Sequence, residues 1–68
     1  MITFEIDSSN EGIEIFIDTK GIDELINYLS VIKGKSDHIH LLVGNELDEG
    51  INREGNILVK HVRLQSIE

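Results

Sequence analysis

Sixty-eight residues without a cysteine allow one domain, residues 1–68, with one core and neither a disulfide nor a Cys-bound zinc site. Thirteen Asp and Glu against six Lys and Arg give a formal net charge of -7. That charge opposes nucleic acid and anionic membrane as partners, because phosphate contacts need clustered Lys and Arg, and it favours a cationic protein, whose approach an acidic field accelerates. The core must come from Ile, Leu and Val, with Phe4, Phe16 and Tyr28 as the aromatics. A chain of this size buries only roughly 60 % of its surface, so docking on a second copy or a partner would add to a thin core. Met1 leads directly into a strand-like pattern, with no basic segment and apolar run of a secretory signal. No apolar run approaches the roughly 20 residues of a membrane span. The expectation is a soluble, cytoplasmic protein.

Ile2 to Asp7 alternates apolar and polar residues, which puts Ile2, Phe4 and Ile6 on one face of a strand. Ser8-Ser9-Asn10-Glu11-Gly12 reads as a turn, with Gly12 able to take a positive φ. Ile13 to Asp18 alternates again, with Ile13, Ile15 and Ile17 together and Phe16 pointing the other way. Two alternating runs around a polar turn predict a β-hairpin. Asp18 or Thr19 can cap a helix from about Gly21 to Lys33. Asp23 and Glu24 suit its N-terminal end, Lys33 its C-terminal end, and Gly34 the left-handed position after it. Ile22, Leu25, Ile26, Leu29 and Ile32 form the stripe expected to pack on the sheet.

Asp37-His38-Ile39-His40-Leu41-Leu42-Val43 predicts a strand central to the sheet. Ile39, Leu41 and Val43 face the helix; His38, His40 and Leu42 face away. Residues Gly44 to Asn56 are polar, contain Gly44, Gly50 and Gly55, and have no sustained period, so they read as a long loop. Leu47 or Ile51 would pin it to the body. Ile57 to Leu64 is the last strand, with Leu58, Val62 and Leu64 on one face, Lys60 an exception to it, and Ile57, Val59, His61 and Arg63 on the other. The order β-β-α-β-β predicts an α+β fold. It would be a four-stranded antiparallel sheet in the order 2-1-3-4, with one helix packed on one face.

Matching the apolar faces of the last two strands sets His40 opposite His61, His38 opposite Arg63 and Leu42 opposite Val59. Three readings of His38, His40 and His61 follow. They can be hydrogen-bonded, partly buried side chains or an interface patch. They can hold a metal ion, with Glu46 as a fourth ligand, although the spacing matches no metal motif. One of them can act as a base, but no nucleophile or phosphate loop accompanies it. Asp37 is expected either to orient a neighbour or to bond the backbone at the strand start. Phe16, Leu42 and Val59, with Ile57 as a further candidate, would then lie on an uncovered face, and exposed apolar clusters mark interaction surfaces. The acidic residues Glu46, Asp48 and Glu49 could meet a basic partner. The interaction residues expected from the sequence are therefore Phe16, His38, His40, Leu42, Glu46, Asp48, Glu49, Val59, His61 and Arg63, with no catalytic residue and no cofactor.

The segments Asp37-His38-x-His40-Leu41, Gly44-Asn45-Glu46-Leu47 and His61-Val62-Arg63-Leu64, together with the entry Asp18 to Ile26, resemble the bacterial polymorphic-toxin immunity protein family thirty-two. The resemblance covers most of the chain. Many relatives carry a longer, Trp-containing segment between the histidine strand and Asn-Glu-Leu, whereas Val43 here runs directly into Gly44. Lys60 stands where Asn is commoner. The resemblance implies a binding protein, not an enzyme, that neutralises a cognate toxin domain. The alternative is a homodimeric structural or regulatory module, and after it a small metal-binding protein using the three histidines.

Overall fold

The structure, a computed structural model, describes residues 1–50 and 54–67. It is α+β, with one helix and antiparallel sheets. Strands β1 (Ile2–Ile6) and β2 (Ile13–Ile17) form the expected hairpin, with Ile2 opposite Ile17, Phe4 opposite Ile15 and Ile6 opposite Ile13. Residues directly opposite share a face, so one face of the hairpin is a block of Ile and Phe. The turn is organised by Asp7, whose Oδ1 accepts from the Ser9 and Glu11 backbone N–H groups and the Ser9 hydroxyl. The positive φ falls on Asn10, at 61°, and not on Gly12. Asn tolerates the left-handed region because its short polar side chain bonds locally.

Helix α1 spans Thr19–Ile32. Asp18 is the cap, its Oδ1 accepting from Gly21 N–H at 2.8 Å, and the Met1 ammonium rests on the same carboxylate. No acidic residue lies in the first turn and no basic residue in the last. The two-residue earlier start leaves Asp23 and Glu24 beyond the first turn. Lys33 serves as the C-cap and Gly34 takes φ 77° as expected.

The packed face of the helix is rotated from the expected stripe. Gly21 and Ile32 are buried, and Leu25 and Tyr28 lie partly buried against the core, spaced four, three and four residues apart. Ile22, Ile26 and Leu29 stay 45 to 56 % exposed. The cause is Gly21. Without a side chain it lets the helix backbone settle onto the Met1 carbonyl and Ile17, where a Cβ would have no space.

The sheet differs from the expected single sheet of order 2-1-3-4. Strand β3 (His38–Leu42) does not join β1. The last strand takes that place and breaks in two: β4 (Ile57–Leu58) pairs with β1, giving the order β2-β1-β4, while β5 (His61–Gln65) pairs with β3 in a separate two-stranded sheet. The break falls at Val59-Lys60. Val59 N–H still donates to the Phe4 carbonyl, and the Lys60 carbonyl already accepts from Val43 N–H. Ile57 sits beside Ile6 on the helix side of β1, so an unbroken strand would turn Val62 and Leu64 away from the core. The irregular pair resets the alternation, and both residues pack on the core. Lys60, polar among apolar residues, occupies the break.

The central strand is therefore β1, buried on both faces. Ile2 and Phe4 join Leu41 and Leu47 in the core, while Thr3 and Glu5 on the other face are equally buried. The loop after β3 covers that second face. Gly50, at φ 101°, passes so close that a Cβ would lie 2.9 Å from the Glu5 carboxylate. Asn56 Nδ2 donates to both Glu5 and Glu14, each at 3.0 Å. Leu47 pins the loop, being 2 % exposed. Ile51, the other candidate, lies outside the described residues. The loop is not structureless: residues 42–47 form a tight turn, and Asp48 N–H bonds the Ile2 carbonyl.

Candidate functional site

The β3–β5 ribbon carries the histidines. Val43 N–H bonds the Lys60 carbonyl at one end and Ser66 N–H bonds the Asp37 carbonyl at the other. The bonded pairs are thus the odd positions of β3. His38, His40 and Leu42 occupy the intervening pairs, where opposed side chains approach most closely. Their partners are Gln65, Arg63 and His61. This register is shifted by two residues from the expected one, in which His40 met His61 and Leu42 met Val59. An even shift leaves every side chain on its expected face, and Ile39, Leu41, Val62 and Leu64 turn inward as anticipated.

His40 and His61 still meet, as diagonal neighbours. His40 Nδ1 lies 2.6 Å from His61 Nε2, with ring centroids 4.9 Å apart and planes tilted by 31°. His38 stands edge-on to His40 at 5.0 Å. All three are exposed. Loss of solvent around the ring, then the charges of His61, His38 and Arg63, push the His40 pKa below 6.5.

The folded state holding His40 neutral binds fewer protons than the unfolded chain just below pH 6.5. Stability from this group is fully present above that pH and is lost as the pH falls through the folded value. Urea midpoints measured from pH 7.5 downward should therefore decline, and His40→Gln should flatten that part of the profile. At lower pH a second decline is expected from Asp18 and Asp7, both held below 3.8. The Met1 ammonium dominates at Asp18 and the Ser9 hydroxyl at Asp7. Their contribution is present above 3.8 and lost as the pH falls through their folded values.

The remaining expected interaction residues are scattered. Glu46 turns back to accept from Leu42 N–H at 3.1 Å, on the edge of β3 away from β5, so it is not a fourth ligand beside the histidines. Asp48 Oδ2 accepts from Ile2 N–H at 2.9 Å, tying the loop to β1. Glu49 is exposed. Val59 packs against the core and Phe16 is half-buried opposite Thr3, so neither forms an open apolar face with Leu42. Arg63 donates to Gln65 Oε1. Asp37 accepts from His38 N–H, the structural role expected of it. Among the described residues no three His, Cys, Asp or Glu side chains are grouped to hold a metal ion, and no cavity is present.

Leu42 is exposed as expected, and further exposed apolar residues lie on the helix side of the hairpin. Ile13 and Ile15 on the edge strand β2, and Ile57 beyond β1, are half or more exposed. Ile22, Ile26 and Leu29 supply a second apolar stripe on the helix. The sequence held a sign of this: α1 carries more apolar residues than one packed stripe can bury. No helix among the described residues is long and apolar enough to cross a membrane. No protein-family model, curated protein or solved structure matches the chain.

Proposed function

We propose that the chain is an immunity protein, of the polymorphic-toxin immunity family thirty-two, that binds and neutralises a cognate bacterial toxin domain in the cytoplasm. The observation that carries this reading is the pair of exposed apolar stripes, Ile13 and Ile15 on β2 and Ile22, Ile26 and Leu29 on α1, on a chain of net charge -7. Apolar anchors give affinity where they are desolvated on docking. The surrounding negative field speeds encounter with a basic partner and rejects acidic ones. The chain acts by covering the toxin and performs no chemistry itself. The motifs from Asp37 to Leu41 and from His61 to Leu64 support the same reading by resemblance.

The test is survival. Bacteria expressing the protein encoded beside this chain should stop growing, and co-expression of the chain should restore growth. Ile15→Asp and Ile26→Asp, both at exposed positions, should stay folded and lose protection. Neighbouring proteins that are harmless alone would count against the proposal.

A second reading is a homodimer through β2, favoured by its place at the end of its sheet among the described residues, with exposed Ile13 and Ile15 along it. Sedimentation should then show a stable dimer that Ile15→Asp converts to monomer. A monomer for the unaltered chain removes this reading and leaves the first standing.

A further inference from the structure

We propose that His40 and His61 form a two-imidazole chelate for a first-row transition-metal ion, with Cu²⁺ and Zn²⁺ as the preferred ions. The proposal stands on the geometry of the β3–β5 ribbon and is independent of the toxin reading. His40 Nδ1 and His61 Nε2 point at each other across 2.6 Å. Only one proton fits between them, so the neutral pair is one N–H donor and one lone pair. If the donor ring moves its proton to its other nitrogen, both facing nitrogens offer a lone pair, and a turn of the two rings aims both at one ion. An ion held by both nitrogens at the usual Zn–N distance of about 2.0–2.1 Å and a tetrahedral angle needs the nitrogens roughly 3.3 Å apart. That opening is about 0.7 Å, within reach of two exposed side chains on a two-stranded ribbon. The exchange is balanced: each ring keeps one proton, on the nitrogen remote from the ion.

The surroundings bear on this in both directions. Imidazole nitrogen suits copper, zinc and nickel, and copper heads the affinity order of the divalent series. The net charge of -7 draws cations toward the chain. Against this, Arg63 sits opposite His40 across the ribbon, although its guanidinium is engaged by Gln65. His38 meets His40 edge to face, a ring contact and not a converging nitrogen. The site is therefore a two-ligand site, with water filling the other positions.

Calorimetric titration of the intact chain at pH 7.5 with ZnCl₂, and separately with CuCl₂, should show one ion bound per chain, copper more tightly. His40→Gln and His61→Gln should each weaken binding by at least about tenfold, since loss of an outer-shell partner alone typically costs 10–100-fold. His38→Gln should change it much less, and circular dichroism should show all three variants folded. Side-chain ¹⁵N spectra with Zn²⁺ should shift Nδ1 of His40 and Nε2 of His61. An absence of binding by the unaltered chain overturns the proposal, as does binding that survives in the His40→Gln, His61→Gln double variant. A loss in His38→Gln equal to that in His61→Gln overturns the two-ligand assignment.

Discussion

Gly21→Ala is expected to destabilise the protein by about 3 kcal/mol or more, although the same change in an ordinary helix interior gains about 1 kcal/mol. The sign reverses because of what lies beside the residue. Gly21 is buried in the first turn of α1. A Cβ there would fall deep inside contact with the Met1 carbonyl oxygen and 2.9 Å from Ile17 Cγ1. The obstacle at Met1 is backbone, held by the hydrogen bond from Asp18 N–H. Relief means lifting the helix off β1 and β2, which exposes Leu25, Tyr28 and Ile32. Urea unfolding measures the effect. A neutral or stabilising Gly21→Ala would show that the helix does not sit this close.

Leu47→Ala is the second large expectation, a loss of about 2–5 kcal/mol, the usual range for buried Leu to Ala. Leu47 is a loop residue by sequence and a core residue by position, 2 % exposed and packed with Ile2, Phe4 and Leu41. Its backbone is fixed too, with N–H to the Leu42 carbonyl and C=O to Gly44 N–H. Without its side chain the loop loses its anchor over β1. In a domain of this size, total stability is of the same order as the loss. Thermal unfolding should show Leu47→Ala largely unfolded near 37 °C, whereas Glu49→Ala, at an exposed position of the same loop, should melt like the unaltered chain.

The elements that depend on neighbours in sequence were legible. Alternating Ile in residues 2–6 and 13–17 fixed the hairpin and its face, and Asp18 and Gly34 marked the helix ends. The outward face of the histidine strand was legible for a similar reason. His38, His40 and His61 share it by parity, and the two-residue register shift preserved that parity while changing every partner.

What stayed hidden depends on contacts distant in sequence. Either β3 or the last strand could have lain beside β1, since both offer apolar alternation. The choice turns on the break at Val59-Lys60, which lets one segment serve two sheets. Lys60 at an otherwise apolar position was its visible trace. The helix stripe was misplaced because Gly21 contributes no side chain to any hydrophobic pattern, yet it sets how the helix lies. That rotation leaves Ile22, Ile26 and Leu29 exposed, while Leu42 is exposed as expected and Phe16 and Val59 are partly buried.

The most direct measurement of the proposed function is made with purified components. The protein encoded beside this chain is assayed for its toxic activity while the chain is titrated in. Inhibition complete at one chain per toxin, and lost with Ile26→Asp, is the predicted result. Undiminished toxin activity in the presence of excess folded chain would contradict it.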